Sequence, residues 1–266
     1  MHKTTHVQGR TDLEAAYLRH LRLEGLSEET IRQRIYVLRN LDDPTTATVE
    51  DVREALSANL SASTRATYLR VLRVVYGDLM RLGLVQADPM QTVKIPKTPR
   101  RQPRPIPRSV IDRLLEMPDE TGRGLTIVGA FAGLRASEAG RVAGADLLDT
   151  DDGPALRVHG KGNVIATVPA HPRVVDLLAP HAGDPEPLWP WWSQSINRAW
   201  KRAAAEVGVS GYTYHQLRHS FASMLYRQTN GDLLTVAALC RHASVATTQN
   251  YAKCSVAAPY MAVLGL

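Results

Sequence analysis

Along residues 11–85 apolar side chains recur every three or four positions, the period of a helix that buries one face. Leu13, Tyr17 and Leu21 make the first such stripe, which ends before Gly25. Ser27 can cap a second helix: Glu28 and Glu29 suit the positive charge of its first turn, and Ile31, Ile35 and Leu38 share one face. Thr48-Val49-Glu50-Asp51 resembles a capping box that opens a third helix, faced by Val49, Val52 and Leu56. A fourth helix is expected to begin near Ser63, turn Leu69, Leu72, Tyr76 and Leu79 inward and end at Gly83. The pattern predicts a helical bundle as the first domain, over residues 1–90.

The helical period then stops. Pro89, Pro96, Pro99, Pro103, Pro105 and Pro107 preclude a regular helix and favour extended chain, so residues 91–107 are expected to be a linker. A second domain, residues 108–266, should open with Ser109 capping a helix that contains Ile111, Leu114 and Leu115. An apolar helix near 123–132 leads to Gly133-Leu134-Arg135. Residues 155–169 read as a β-hairpin: Leu156 and Val158, a Gly160-Lys161-Gly162-Asn163 tip, then Val164, Ile165 and Val168. The tip glycines permit turn geometry and leave Lys161 exposed. Further helices are expected at 193–207, 215–228, 232–240 and 244–252. The fold class is therefore mainly α, with a small antiparallel sheet in a mixed α+β second domain.

Composition adds the partner. The chain carries a net charge of +6 and 44% hydrophobic residues, enough to fill real cores. Residues 1–108 hold 18 Lys/Arg against 12 Asp/Glu, whereas residues 109–266 hold 14 of each, so the basic excess lies wholly in the first part. Such a distribution suits a DNA-gripping module ahead of a catalytic one, because Lys and Arg displace counterions from phosphates. Arg65, Arg70, Arg73 and Arg81 lie on the expected outer face of the fourth helix. Lys94, Lys97, Arg100, Arg101 and Arg104 fill the linker without one acidic residue, as a segment tracking a DNA backbone would. Two cysteines, Cys240 and Cys254, lack metal-ligand spacing and point to a reducing compartment. The amino terminus has no apolar signal region and no run reaches membrane-spanning length, so a cytoplasmic location with no membrane partner is expected.

Candidate chemistry gathers late in the chain. His215-Gln216-Leu217-Arg218-His219 is followed by His242 and by Thr247-Thr248-Gln249-Asn250-Tyr251, and Gly133-Leu134-Arg135-Ala136-Ser137-Glu138 lies upstream. Arginine forks bind non-bridging phosphate oxygens at two points, imidazoles move protons near neutral pH, and a tyrosine hydroxyl can be a nucleophile. These residue types suit chemistry at a phosphodiester. No Asp/Glu cluster of the kind that holds magnesium accompanies them, so a mechanism without metal or other cofactor is favoured. A zinc site on His215, His219 and His242 is the rival reading, but Gln216 stands where a helical zinc motif would carry Glu.

The G-L-R-x-S-E, H-x-L-R-H, His and Tyr elements occur in the order and approximate spacing of the tyrosine recombinases, the phage-integrase family, and the resemblance runs from about residue 10 to about residue 255. It implies a SAM-like core-binding bundle joined to the family's catalytic domain, closing as a clamp on double-stranded DNA. It further implies Tyr251 as the nucleophile of a 3′-phosphotyrosyl intermediate, with Arg135 and Arg218 on the phosphate and Lys161 as general acid. His215 and His242 would hydrogen-bond the reacting groups, with Glu138 and His219 in support. One departure stands out: the residue before the second histidine, commonly glycine in the family, is Arg241, which could add a DNA contact or alter the local turn. The family implies a homotetramer on two sites, with an accessory DNA-bending or directionality protein as a further partner. The apolar tail after Tyr251 could dock on a neighbouring protomer or fold back on its own domain. Among the roles open to the family, a compact phage or prophage integrase without an arm-site domain is expected first and a Xer-like dimer resolvase second. A type IB-like topoisomerase and a catalytically dead DNA-binding regulator are the other readings.

Overall fold

The computed structural model describes residues 9–57, 60–97, 104–160, 162 and 164–242. The chain divides into two compact units, residues 1–100 and 101–266.

The first unit is built on four helices: α1 (Arg10–Leu23), α2 (Glu28–Leu38), α3 (Val49–Ala55) and α4 (Ala62–Arg81). Ser27 caps α2 by accepting from the Thr30 N–H, and Thr48 and Asp51 form the capping box of α3. Helix α4 starts slightly earlier than expected. Its cap is Ser61, whose hydroxyl accepts from the Thr64 N–H, and Ser63 lies inside the first turn. The expected stripes of α1, α2 and α4 all face one core, closed by Val52, Leu56 and Met90. The core holds one polar knot. The Tyr17 hydroxyl donates to Asp78 at 3.0 Å, and Arg34 donates to the same carboxylate at 2.7 Å. Arg70, Arg73, Lys94 and Lys97 are exposed, whereas Arg65 is half-buried and donates to the Leu56 carbonyl. Arg73 donates to the Val93 carbonyl, and Arg81 pairs with Asp78.

The second unit begins with α5 (Arg108–Leu115), whose N-cap is Pro107. Ser109, expected to cap it, stands two residues past the N-cap; proline with its fixed φ starts the helix without a side-chain acceptor. Helix α6 (Glu120–Phe131) is capped by Asp119 through the Gly122 N–H, and therefore starts three residues before the apolar pattern suggests. The short α7 (Ala136–Ala139) and a 3-10 turn (Gly144–Asp146) follow. Three strands then form an antiparallel sheet in the order β1 (Leu147–Thr150), β2 (Gly153–His159), β3 (Ile165–Pro169), with Leu156 opposite Leu147 on one side and Val168 on the other. The β2–β3 hairpin matches expectation; β1 was not foreseen, because four residues reading Leu-Leu-Asp-Thr carry no alternation. Helices α8 (Pro172–Leu178), α9 (Ser193–Glu206), α10 (Tyr214–Gln228) and α11 (Leu233–Leu239) complete the described fold. The helix expected at 244–252 lies outside the described residues. Among the described residues no helix is long and apolar enough to cross a membrane.

Helix α6 is the axis of this unit. It packs on α10, α9, α5 and α8, with Trp200 fully buried and its indole N–H donating to Thr126 at 2.9 Å. Helix α10 comes close because Gly129 has no side chain: a Cβ there would meet Leu217 Cδ1 at 2.8 Å. Just past the end of α6, Gly133 takes φ +59°, and a Cβ on it would stand 2.3 Å from the Phe221 ring. Only glycine satisfies both conditions without strain. The turn delivers Arg135 to the N-cap of α7, where its guanidinium donates to Glu138 and to the Arg241 carbonyl. Gly133→Ala should cost about 2 kcal/mol or more in urea unfolding, from left-handed strain and overpacking together. A loss under roughly 0.5 kcal/mol would show that the turn relaxes freely.

Candidate active site

One carboxylate organises the candidate site. Glu138 is 3% exposed, and three guanidinium groups converge on it from three separate parts of the chain. Arg135, on the same turn, donates its backbone N–H to Glu138 Oε2 at 2.9 Å and its Nη1 to Oε1 at 2.6 Å. Arg241, just after α11, donates Nη2 to Oε2 at 3.1 Å. Arg218, on α10, brings Nη1 to 3.7 Å from Oε2. Burial by itself would raise the pKa of Glu138, but the charge of Arg241, followed by the N–H and guanidinium of Arg135, holds it below the ordinary value. The carboxylate is therefore ionised at neutral pH, and it draws together side chains that would otherwise repel.

The arginines differ in access. The side chain of Arg135 is 39% exposed and that of Arg218 only 2%. Arg218 donates Nη1 to the Gly133 carbonyl at 2.5 Å and Nη2 to the Cys240 carbonyl. Burial first, then the charges of Arg135 and Arg241, lower its pKa to about 10, which leaves it charged at neutral pH. Arg241 takes φ +54°, the left-handed conformation in which glycine is at ease. The sequence departure is thus accommodated by strain at a non-glycine residue. The side chain of Arg241 turns inward and is 9% exposed, donating to the Ala132, Gly133 and Leu239 carbonyls as well as to Glu138. This corrects the expectation that Arg241 contacts DNA: its guanidinium is committed to the interior. The sequence signalled it only as a missing glycine and gave no hint of the partner.

The histidines stand beside this positive cluster. His215 and His219 share a face of α10, with ring centroids 4.6 Å apart and edge-on. His242 follows Arg241 and donates its backbone N–H to the Ala237 carbonyl at 2.9 Å. Burial and the neighbouring charges of Arg218 and Arg135 push down the pKa of His215. Burial, then His215 and Arg218, lower His219 to about 4; burial, then Arg218, Arg135 and Arg241, lower His242 to about 4 as well. All three are neutral at pH 7. Among the described residues, no three His, Cys, Asp or Glu side chains group in a way that could hold a metal ion.

Lys161 and Tyr251 lie outside the described residues, as do Arg100 and Arg101. Arg104 is exposed, and its carbonyl accepts from Gln216 at 3.0 Å. Of the competing tyrosines, Tyr214 is excluded. It is fully buried, its hydroxyl has no hydrogen-bond partner among the described residues, and burial pushes its pKa far up.

The profile of the phage integrase family matches residues 106–257, more than half of the chain. The chain belongs to this family. As a tyrosine recombinase it is an enzyme that cleaves and rejoins DNA. The tyrosine recombinase XerC of Mesorhizobium japonicum is 33% identical over 218 residues, covering 73% of this chain and 69% of that protein. The protein of the same name from Neisseria meningitidis serogroup B is 28% identical over 278 residues, covering 90% and 89%. In fold, the chain is similar to a lambda integrase dimer bound to a COC′ core site, with a TM-score of 0.70, 17% identity, and coverage of 92% of this chain and 77% of that one. That recombinase fold has the mainly helical plan with a small antiparallel sheet expected from the sequence.

Two outcomes follow from the site's electrostatics. Glu138→Ala should destabilise the second unit by about 3 kcal/mol or more in urea unfolding, because it leaves two buried guanidinium groups without their anion. If the variant is as stable as the parent, the main-chain carbonyls alone hold the arginines. The second outcome concerns acid. Each histidine has a folded pKa below its ordinary 6.5, so the unfolded chain binds more protons, and stability present above pH 6.5 is lost as pH falls toward 4. Glu138, lowered from 4.5, adds a loss of the same sign further down. The melting temperature of the DNA-free protein should therefore fall from pH 6.5 to 4, and His219→Gln with His242→Gln should flatten that fall. An unchanged slope in the double variant would place the acid sensitivity elsewhere.

Proposed function

We propose that Tyr251 attacks the scissile phosphate of a DNA strand, forming a 3′-phosphotyrosyl link and releasing a 5′-hydroxyl. The observation that carries this reading is the convergence of Arg135 and Arg218, 83 positions apart in sequence, on one buried carboxylate beside three neutral histidines. Arg135 and Arg218 then neutralise charge that develops on the non-bridging oxygens. One Glu138 does not cancel three arginines, so the cluster keeps a positive excess for the phosphate. Burial, together with the charge of those same arginines, keeps His215 and His242 neutral, so each has a ring nitrogen able to accept a proton. The incoming phosphate offsets the arginine field and makes them better acceptors. Lys161 protonates the departing 5′ oxygen, assistance typically worth about 10² to 10⁴ in rate. The 5′-hydroxyl of a partner strand reverses the sequence. The phosphoester energy is retained in the enzyme link throughout.

The first domain and the linker grip the duplex. Exposed Arg70, Lys94, Lys97 and Arg104 support this, while Arg65 and Arg73 contribute less because their guanidinium groups are tied to main-chain carbonyls. Recombination takes four protomers on two sites, with the segment after Tyr251 docked on a neighbour, in the cytoplasm. The solved lambda integrase tetramer bound to a Holliday junction is consistent with such an assembly. Between integration and dimer resolution, the nearly end-to-end match to a protein named XerC favours a Xer-like role, with phage integration as the alternative.

Tyr251→Phe should abolish covalent protein–DNA adducts on a denaturing gel while leaving DNA binding intact. Sequencing the DNA trapped on the parent protein should then return one short recurrent site. Adducts that survive the substitution would assign the nucleophile to another residue. Trapped DNA at a phage attachment junction, rather than a single chromosomal locus, would favour integration.

A further inference from the structure

Lys161 lies in sequence between β2 and β3, and the described end of that hairpin has little apolar burial. Val164 is 63% exposed and Ile165 60%, so apolar burial does not fix this end of the strands. The ladder's last pair is His159 with Ile165, and beyond it the Gly160 N–H donates to the Val164 carbonyl at 2.8 Å. These bonds hold the hairpin to itself and not to the rest of the unit. Further down, β2 pairs with β1, and Leu156, Val158 and Val168 join the core; at this end two polar ties come from outside the hairpin. His159 Nε2 lies 2.7 Å from Asp146 Oδ1, and Arg141 Nη1 donates to the Gly160 carbonyl at 3.2 Å. Both land on the two residues that immediately precede Lys161.

The far ends of these ties are fixed. The Asp146 side chain is 4% exposed, and its second oxygen accepts from the Ala143 N–H at 3.1 Å. The turn that bears it is wedged against residues 181–184: a Cβ on Gly144 would stand 1.6 Å from the His181 carbonyl oxygen, and the Ala145 N–H donates to the Asp184 carbonyl at 2.8 Å. Arg141 lies three residues after Glu138 and six after Arg135, on the same stretch of chain. The segment that sets the phosphate-binding arginine therefore also grips the hairpin.

We propose that His159, anchored on Asp146, and Arg141 are positioning residues that set Lys161 for protonation of the leaving 5′ oxygen. The proposal rests on Lys161 being the general acid. In the step concerned, the P–O5′ bond breaks as the Tyr251 oxygen bonds to phosphorus, and the lysine ammonium transfers its proton to the departing oxygen. His159 and Arg141 touch neither substrate nor phosphate; they act through the place they give the lysine. An N–H at His159 Nε2 donates to the Asp146 carboxylate, and Gln at this position can offer its amide N–H to the same group. Leu cannot.

The test uses the full chain and a nicked duplex carrying the site recovered by covalent trapping, made in two forms, with oxygen or with sulfur at the bridging 5′ position of the scissile phosphate. A thiolate leaves without a proton, its parent thiol having a pKa near that of cysteine, about 8.5, so sulfur removes the need for the acid. His159→Leu and Arg141→Ala should each slow cleavage of the oxygen substrate roughly 10- to 100-fold, the scale set by small misplacements of a catalytic group. On the sulfur substrate both should cleave within about twofold of the parent, and His159→Gln should restore most of the rate on oxygen. Equal slowing on both substrates would overturn the proposal, since the ties would then serve the site as a whole; so would no slowing on either. Lys161→Ala is the control. If sulfur fails to rescue it, the assignment of the general acid falls and the inference with it. If sulfur rescues Lys161→Ala but not His159→Leu, the acid stands and only the positioning role fails. Arg141 is exposed, so its variant carries the test even if His159→Leu does not fold.

Discussion

A carboxylate buried among guanidinium groups governs this structure. At an effective dielectric of about 20, two unit charges 4 Å apart interact by roughly 4 kcal/mol. Three arginines drawn into one place would thus repel by several kcal/mol, and each would lose hydration besides. Glu138 offsets part of that, and main-chain carbonyls of Ala132, Gly133, Leu239 and Cys240 offset more. The balance is deliberately incomplete in the electrostatic sense: one negative charge stands against three positive ones. That positive excess suits an enzyme that cleaves and rejoins DNA, a polyanion, although it is costly in the free protein.

The same positive field sets the protonation of its neighbours. His215, His219 and His242 stay neutral first because they are buried and then because a further cation there would be repelled by Arg218. Tyr214, fully buried and edge-on to Trp200, has no partner for its hydroxyl among the described residues and is kept protonated by burial. The structure thereby separates residues that can accept a proton from one that cannot release it. Arg241 shows how a departure from the family's usual glycine is absorbed. It keeps the left-handed turn and uses its side chain to add a second link between Glu138 and the segment carrying His242.

Much of the architecture could be read from the sequence because it depends on local physics. The stripes of α1, α2 and α4 are set by a period of 3.6 residues, the caps at Ser27 and Thr48 by a hydroxyl beside free N–H groups, and the β2–β3 hairpin by glycines around a tip. Helix α4 is capped at Ser61, two residues before the start near Ser63 that its pattern suggests, and β1 carries no alternation to mark it. The motifs also singled out Arg135, Glu138, His215, Arg218 and His242, in a set of residue types that suits chemistry at a phosphodiester. What sequence order could not contain was distance. That Glu138 gathers Arg135, Arg218 and Arg241, that Arg241 faces inward rather than toward DNA, and that Asp146 reaches His159 across the sheet were decided only by tertiary packing. Burial fixes the sign of a charged side chain's contribution, and burial is a property of the folded surroundings, not of the residue.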